Sequence, residues 1–204
     1  IQNYDGLFDL KKISSSNLKS QIDEFMISNN GEGIIINEKI TKGVLLRGYK
    51  KEEFQSLNIV KNQDFSGSKI LDKSGISISR ELGYDLDLKI GDKLSLVFSS
   101  YEETLIGSLP KQKTFKISSF YNSGFNDFDK NIAFVNIEDL ENQLNLTPDS
   151  RFLEIYFKDP TDISKIKKDL INFFPNDLIY TWSDLNKPLF SALKVERNVM
   201  FIIL

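Results

Sequence analysis

Cysteine and histidine are both absent from this chain of 204 residues. Without cysteine the protein can form no disulfide, no thiolate zinc site and no cysteine nucleophile. Without histidine it lacks the commonest general base and the commonest metal ligand, so a Ser-His-Asp triad is excluded. A phosphate-binding Gly-x-x-x-x-Gly-Lys-[Ser/Thr] loop is also missing, because Gly67-Ser-Lys69 lacks the required spacing. We therefore expect a chain that is not an enzyme, does not bind ATP, and uses no metal or cofactor.

Positive charge is also too sparse for a nucleic-acid partner. The formal net charge is −3. Lysine and arginine form only short runs such as Lys165–Lys168, which is better interpreted as the solvated face of a helix. A chain of 204 residues is nevertheless long enough to bury a real core, as one large domain or two small ones.

Closely spaced carboxylates are the remaining candidates for chemistry. Asp127 and Asp129 lie in a turn-rich stretch, and Asp159 is placed to cap a helix, with Asp162 shortly after it. Solvated turn and capping residues explain these positions better than a catalytic dyad does. Asp85-Leu-Asp87 lacks the rest of a calcium loop.

Hydrophobic spacing in the first part of the chain predicts helices and strands. Apolar residues recur at helical spacing after Asn17, a capping residue, and predict a helix over 18–29. Two continuous apolar runs follow and predict strands buried on both faces. The apolar residues of the helix are Leu18, Ile22, Phe25 and Met26; the strands are 34–36 and 44–46, and a short helix is predicted over 75–83.

The later part of the chain alternates strands and helices. Asn136 is placed to cap a helix over 137–145. Pro160 stands at the first position of another helix, where proline is tolerated. The predicted buried stripe of that second helix is Ile163, Ile166, Leu170 and Phe173. The predicted strands are 114–120, 131–135, 151–157 and 178–180, and a last helix is predicted from Ser183 to Leu204.

Residues 99–113, here named the hook segment, connect two stretches that alternate apolar and polar residues, 91–98 and 114–120. A connection of about a dozen residues is too long for a tight hairpin, so the sequence predicts a long loop. Its predicted tip is apolar, and it also contains a glycine and a proline. A docking loop and an ordinary loop folded onto its own sheet both remain open at this point. The tip residues are Leu105, Ile106, Gly107, Leu109 and Pro110.

A series of short motifs resembles the periplasmic domain of lipoprotein-releasing ABC transporter permeases, the LolC/LolE family. The order and spacing of the motifs carry this resemblance, which covers nearly the whole chain. The motifs are Gly91-Asp92, Leu105-Ile-Gly-Ser-Leu-Pro-Lys-Gln-Lys113, Ser123-Gly-Phe125, Ile137-Glu-Asp-Leu140, Trp182-Ser-Asp-Leu185 and the stretch from Leu189 to Leu204.

The resemblance implies a partner-binding role for the hook segment. In the LolC branch this segment is a protruding hook that grips LolA, a soluble periplasmic lipoprotein carrier. The family also has a basic contact residue where this chain has Ser95, which puts part of the carrier-binding patch in doubt. The implied carrier contacts are Thr104, Leu105, Ile106, Gly107, Ser108, Leu109, Pro110, Gln112 and Lys113. Leu193, Val199 and Met200 are implied to lie where lipoprotein acyl chains enter.

The fold that the resemblance implies is α+β and similar to the MacB periplasmic core. A discontinuous βαβ-type subdomain, 1–50 with 149–190, would hold an inserted β-rich subdomain, 51–148, that carries a long protruding hairpin loop. Residues 191–204 would begin a transmembrane helix. We also expect the native chain to continue past Leu204 into the membrane and to have another membrane helix before Ile1.

Two functions follow from the resemblance. In the first, the chain is the periplasmic domain of a bacterial inner-membrane permease that hands lipoproteins to a LolA-like carrier. A LolD-like ATPase subunit in the cytoplasm and a second permease copy or paralogue would complete the transporter, and LolC, LolE and hybrid roles all remain open. In the alternative, the domain couples motion or docks a partner in a MacB-type efflux or FtsX-like permease.

Overall fold

The described strands form one mixed sheet of eight strands. The computed structural model describes residues 1–3, 8, 10, 13, 18–36, 41–105, 107–159, 163–187 and 191. The strands are β1 (Ile22–Ile36), β2 (Thr41–Tyr49), β3 (Ser66–Gly67), β4 (Gly75–Ser79), β5 (Lys93–Thr104), β6 (Gly107–Tyr121), β7 (Ile132–Asn136) and β8 (Phe152–Phe157). The helices are α1 (Asn58–Lys61), α2 (Arg80–Asp85), α3 (Asn126–Asn131), α4 (Ile137–Leu144), α5 (Ile163–Phe173) and α6 (Trp182–Leu185), with 3₁₀ turns at Glu53–Ser56 and Pro148–Ser150.

Six of the strands close into a ring. The hydrogen-bonded order is β1, β2, β7, β4, β6, β5 and back to β1, with parallel pairing between β2 and β7 and between β4 and β6. Alternate side chains of all six strands point into the ring and form its core. The inward residues include Ile35, Val44, Leu46, Ile76, Ile78, Leu94, Leu96, Phe98, Phe115, Ile117 and Val135.

Two further apolar clusters lie outside the ring. Residues 54–71 pack aromatic and aliphatic side chains against the outer side of β2 and β7. On the opposite edge of β1, β8 pairs with residues 22–28, and α5 packs there with a cluster of its own. The long β1 therefore belongs both to the ring and to the β8–α5 layer.

Helix α4 packs tightly against the ring because glycine leaves room for it. The side chain of Asn136 accepts a hydrogen bond from the backbone N–H of Glu138, which caps the helix as predicted. A Cβ atom at Gly48 of β2 would lie 3.0 Å from both the Cα of Ile137 and a methyl group of Leu140. Only glycine allows this approach without displacing the helix.

The predicted helix over 18–29 is wrong, because most of this segment is the first half of β1. Its apolar residues mimic helical spacing since the strand is covered on both faces. Phe25 packs with the cluster under α5, and Met26 packs with the cluster on the other side. A strand buried on two faces has no clean alternation, and the pairing with β8 decides its conformation.

Two other predictions change in the structure. The stretch predicted as one helix over 75–83 is strand β4 followed by α2, and Ser79 caps that helix by accepting the N–H of Leu82. The strand predicted over 178–180 is reduced to a single bridge between Gln2 and Leu178.

The expectation of burial on both faces of 34–36 and 44–46 is also wrong. Ile35 is fully buried, but Ile34 and Ile36 are 45% and 51% exposed. In the second run, Val44 and Leu46 are buried but Leu45 is 38% exposed.

The remaining element predictions are confirmed. Strands over 114–120, 131–135 and 151–157 and the helix over 137–145 are present with boundaries shifted by a few residues. The helix predicted from Pro160 is present over its described residues, Ile163–Phe173. The α+β class is confirmed by the mixed sheet and its helices. The division at residues 50 and 149 stays a prediction. Residues Leu45–Tyr49 of β2, on one side of it, pair with β7 on the other.

Two predictions concern the C-terminus: a helix from Ser183 to Leu204 and the start of a transmembrane helix at 191–204. Both lie mostly outside the described residues, since of 188–204 only residue 191 is described. Within the part of the chain that is described, no helix is both long and apolar enough to cross a membrane.

Candidate functional site

The hook segment is a two-stranded hairpin and not the predicted long loop. Strands β5 and β6 stay paired up to Thr104 and Gly107, so only residues 105–106 connect them. Gly107 has a φ of +119°, which favours glycine there, and the Thr104 hydroxyl donates to its carbonyl at 2.6 Å. The prediction failed because residues 99–113 lack a clear alternation, although the backbone pairing does not need one.

The outer half of this hairpin, residues 101–110, is here named the hairpin arm. All of its described side chains are exposed, and Leu105 at the turn is completely so. β4 joins the outer edge of β6 only from Lys116 onward, so the arm's edge has no partner strand among the described residues. Pro110 is tolerated on such an edge, where its missing N–H breaks no ladder.

A clamp at the C-terminal end of α4 fixes the base of the arm. Between the Val97–Gln112 and Tyr101–Pro110 pairs, three residues of β5 lie opposite Lys111 alone, which bulges the strand. The Lys111 ammonium donates to the carbonyl of Asn142 at 2.8 Å and to the side-chain oxygen of Asn145 at 2.6 Å.

The hydroxyl of Ser100, inside the bulge, completes the clamp by donating to the carbonyl of Gln143. A lysine at the last carbonyls of a helix also meets the negative end of its dipole. The clamp therefore consists of Ser100 and Lys111 with the end of α4.

Gln112 and Lys113, both expected carrier contacts, lie on opposite sides of β6. Gln112 is exposed beside Val97 on the outside of the ring. Lys113 points toward α4, where its ammonium is 2.5 Å from an Asp139 carboxylate oxygen and 5.3 Å from the Phe115 ring centroid. Asp139 is nearly buried and also accepts the N–H of Ser74. Lys113 is thus held in an internal ion pair.

The other expected contacts divide in the same way. Tyr101 pairs with Pro110 on the outer side, while Leu109 pairs with Glu102 on the α4 side. Ser108 donates to the Glu103 carboxylate at 2.7 Å. Ile106, Leu193, Val199 and Met200 lie outside the described residues. At Ser95, the hydroxyl is 3.0 Å from that of Thr114, so this position, where the resemblance implies a basic residue, holds a neutral hydroxyl pair.

Sequence reasoning missed a second polar cluster around Glu154 on β8. The carboxylate accepts hydrogen bonds from Ser28 and Arg47 on one oxygen and from Tyr49 and Tyr156 on the other. Burial alone would raise the pKa of Glu154, but Arg47 and these donors hold that pKa below its ordinary value. Burial raises the pKa of Tyr49 well above its ordinary value, so the phenol stays a donor.

Of the two carboxylates predicted to be solvated turn residues, Asp127 is exposed but Asp129 is not. Asp129 is in α3 and only 4% exposed, and its two carboxylate oxygens accept the N–H of Ser123 at 3.1 and 3.2 Å. Its role is to fix the turn before the helix. Among the described residues, no group of acidic side chains is arranged to hold a metal ion.

Comparison with known proteins finds LolC sequences. The chain is 26% identical over 179 residues to the lipoprotein-releasing system transmembrane protein LolC of Xylella fastidiosa (strain 9a5c), covering 81% of this chain and 43% of that protein. The LolC of Buchnera aphidicola subsp. Acyrthosiphon pisum is 32% identical over 133 residues, covering 63% and 32%. The chain therefore spans less than half the length of these relatives. No protein-family model matches it.

Two solved structures have the same fold. The periplasmic region of MacB from Actinobacillus actinomycetemcomitans superposes with a TM-score of 0.55 at 12% identity, covering 94% of this chain and 84% of that one. The extracellular domain of the noncanonic ABC-type transporter YknZ from Gram-positive bacteria gives 0.52 at 11%, covering 83% of each. The resemblance to LolC and to a MacB-like fold is confirmed.

Proposed function

We propose that this chain is the periplasmic domain of the inner-membrane permease of a lipoprotein-exporting bacterial ABC transporter. Similarity to LolC proteins supports the transporter, and the fold shared with MacB supports a periplasmic domain. The domain is non-catalytic in this proposal. ATP hydrolysis would occur in a separate LolD-like cytoplasmic subunit, and a second permease copy or paralogue would complete the membrane part.

The exposed hairpin arm is the observation that supports the proposed transfer of lipoproteins to a carrier. A strand pair that projects beyond its sheet with leucine at its turn exposes apolar surface to water, which costs free energy. Binding of a partner removes that cost. Leu105 is fully exposed and Leu109 is 48% exposed. A LolA-like lipoprotein carrier needs an apolar cavity, and such a cavity would accept this tip.

The proposed direct carrier contacts are Thr104–Pro110 and Gln112, which are the residues expected from the sequence without Lys113. Lys113 would act through its ion pair with Asp139, which stiffens the hairpin base. Leu193, Val199 and Met200 remain proposed lipoprotein contacts.

Replacing both exposed leucines with serine tests the hand-off. Burying one such side chain stabilises a complex by roughly 1.5–3 kcal/mol, so each replacement is expected to weaken carrier binding by about tenfold or more. The measurement is calorimetric titration of the LolA-like carrier of the same organism with the wild-type domain and with Leu105→Ser/Leu109→Ser. Leu185→Ser, at a leucine that is 68% exposed far along the chain, is the matched control.

A coupling or docking domain of a MacB-type or FtsX-like permease is the second candidate, because the superposed structures share its fold. That function needs no carrier contact at the arm. Two outcomes would favour this candidate: the wild-type domain does not bind the carrier, or the wild-type and double-serine domains bind it with the same affinity.

A further inference from the structure

A cavity of about 400 Å³, here named the apolar pocket, lies in the β8–α5 layer outside the ring. Alternate side chains of β8 form one wall, and residues at helical spacing on α5 form the wall that faces it. Protein interiors are close-packed, so an apolar space of this size is unusual unless a ligand fills it, and small-molecule sites fall in the same range of volume. The two walls consist of Leu153, Ile155 and Phe157 on β8 and Ile163, Ile166 and Leu170 on α5.

The rim of the apolar pocket consists of side chains that combine an apolar body with a polar end. Tyr180 and Trp182 line the pocket and are 49% and 61% exposed, so it opens to water beside them. Thr181, between them, caps α6: its hydroxyl accepts the N–H of Asp184 at 3.2 Å, and the Asp184 carboxylate accepts the N–H of Thr181 at 2.9 Å. This capping box fixes Trp182 at the first position of the helix. Tyrosine and tryptophan are typical of sites where an apolar region meets water.

Charge at this rim is already neutralised. Lys167 is the one charged side chain among the described residues that line the apolar pocket. Its ammonium lies 2.6 Å from a carboxylate oxygen of Asp184. A phosphate or carboxylate head group would have to compete with Asp184 for this lysine. The pocket therefore favours an apolar chain whose head group carries no charge.

A second pocket, of about 530 Å³, continues from the same rim, because Tyr156 and Trp182 line both. Phe125, which is 74% exposed, lies on its wall. Arg47 is the one charged side chain among its described lining residues, and it pairs with Glu154 at 2.5 Å. Neutral amides and hydroxyl groups supply the other polar contacts, and such groups both donate to and accept from peptide groups. This second space is here named the amide pocket, and its polar lining residues are Asn58, Asn62, Asn122 and Ser123.

We propose that the apolar pocket binds one acyl chain of a lipoprotein and that the amide pocket binds the polypeptide joined to that chain. The assignment to a lipoprotein rests on the proposed function above. A lipoprotein is an acyl chain attached to a peptide, so its two parts differ in polarity as the two adjoining pockets do. A phospholipid matches the apolar pocket alone, because it brings a charged phosphate to a rim whose cation, Lys167, is already paired.

The single tryptophan of the chain makes occupancy of these pockets directly measurable. Trp182 lines both pockets, and a bromine atom in contact with an indole ring quenches its fluorescence. The probe is an uncharged tetrapeptide amide of glycine and serine that carries a brominated fatty-acyl chain on its N-terminus, used below the concentration at which it forms micelles. We expect saturable quenching, with affinity rising about fourfold for each added methylene until the chain fills the pocket. Quenching that does not saturate would indicate adsorption to exposed surface and would overturn the proposal.

Filling the apolar pocket tests where the acyl chain binds. Ile163→Phe enlarges a half-buried side chain on the α5 wall, so probe binding should weaken about tenfold or more while the melting temperature stays near wild type. Ile171→Phe, on the same helix at a position that is 46% exposed and outside the pocket, is the matched control and should bind like wild type. If Ile163→Phe unfolds early, Ile179→Phe fills the same pocket from a different element. Wild-type affinity in a folded variant with a filled pocket would contradict the proposal.

Different head groups on the same brominated chain test the chemistry of the rim. The methyl ester is neutral and has no peptide, the free carboxylate adds a charge, and the tetrapeptide adds hydrogen-bonding groups. We expect the peptide form to bind best, and the carboxylate to bind several-fold more weakly than the ester because Asp184 already pairs with Lys167. Asn58→Ala should weaken binding of the peptide form only. If the carboxylate or a brominated short-chain phosphatidylglycerol binds more tightly than the peptide form, the occupant is a membrane lipid and the proposal is wrong.

Probe binding and carrier binding are independent measurements on the same wild-type domain. Carrier binding without quenching by any brominated probe would overturn the acyl-chain site and leave the proposed function standing. Saturable quenching by the acylated peptide without carrier binding would overturn the transfer to a carrier and support the acyl-chain site.

Discussion

Glu154 shows how one residue ties two layers of the molecule together. Its carboxylate on β8 accepts hydrogen bonds from four side chains, one of which is Tyr49, 105 positions away on β2. The guanidinium of Arg47 also lies 5.4 Å from the Tyr49 ring centroid, so the same side chain forms the ion pair and packs against an aromatic ring. The donors of this cluster are already hydrogen-bonded to Glu154, which indicates a role in stability and not in chemistry.

Replacing Glu154 with glutamine should destabilise the domain. The Arg47–Glu154 side chains keep 23% and 18% exposure, so the loss should be about 2–3 kcal/mol, below the 3–5 kcal/mol of fully buried pairs. Urea unfolding at neutral pH measures it. Glu24→Gln, which removes the exposed Lys61–Glu24 pair at 3.0 Å, is the control and should cost less than about 1 kcal/mol.

The same variant gives a pH dependence with a definite sign. The folded pKa of Glu154 lies below its ordinary value of 4.5, so the wild-type advantage is present above pH 4.5 and is lost as pH falls through the folded pKa. The stability difference between wild type and Glu154→Gln should therefore shrink in acid. A difference that stays constant down to the acid transition would contradict the assigned ion pair.

The sequence indicates which residues could belong to this cluster but does not show that they meet. Arg47 and Tyr49, and likewise Glu154 and Tyr156, are polar residues two apart within apolar strands, a spacing that puts each pair on one face. Which strands face each other depends on pairing between distant segments. Residue patterns therefore mark the members, and only the fold shows that they meet.

At the scale of elements, the clamp on α4 should set the direction of the hairpin arm. Lys111→Met keeps the length of the side chain and removes the charge and the donors. We expect little change in unfolding, because exposed charge–dipole contacts contribute only about 0.3–1 kcal/mol, but a more mobile arm and carrier binding several-fold weaker.

The absence of native cysteine makes this mobility directly measurable. Spin labels on Ser108→Cys and Tyr84→Cys, both exposed, report the distance between arm and ring. The distribution should broaden in Lys111→Met and stay narrow in the control Lys93→Met, which changes an exposed lysine before the bulge. An equally narrow distribution in both would mean that the backbone pairing alone holds the arm.

Local sequence patterns predict a helix or strand well where one face of it is buried, and poorly where both faces are covered or neither is. Helix α4 was predicted with its cap because Asn136 and the following stripe act locally. β1 was missed because both its faces are covered, and the hook segment was given a loop because cross-strand pairing, not alternation, orders it. In each miss a long-range contact overrode the local pattern.

For the molecule as a whole, the closed ring could not be predicted from the sequence. Closure requires the second half of β1 to pair with β2 along one edge and with β5 along the other, while its first half pairs with β8 outside the ring. Residue patterns were sufficient for a mixture of helices and strands, and the resemblance implied the α+β class, whereas strand order depends on contacts between distant segments. The position of the hairpin arm at one end of the ring is a consequence of that order, which is why residue patterns could not place it.

Shortening the hairpin tests the separation of fold from function across the whole molecule. Replacing residues 102–110 by a two-residue Asn-Gly turn removes most of the arm and retains both clamp residues, Ser100 and Lys111. Every core residue of the ring remains, and a shorter connection costs no more closure entropy, so circular dichroism and the melting temperature should stay near wild type. Carrier binding should be abolished. A shortened domain that binds carrier with wild-type affinity would disprove the hook assignment, and one that fails to fold would mean that the arm is part of the packing of its own sheet.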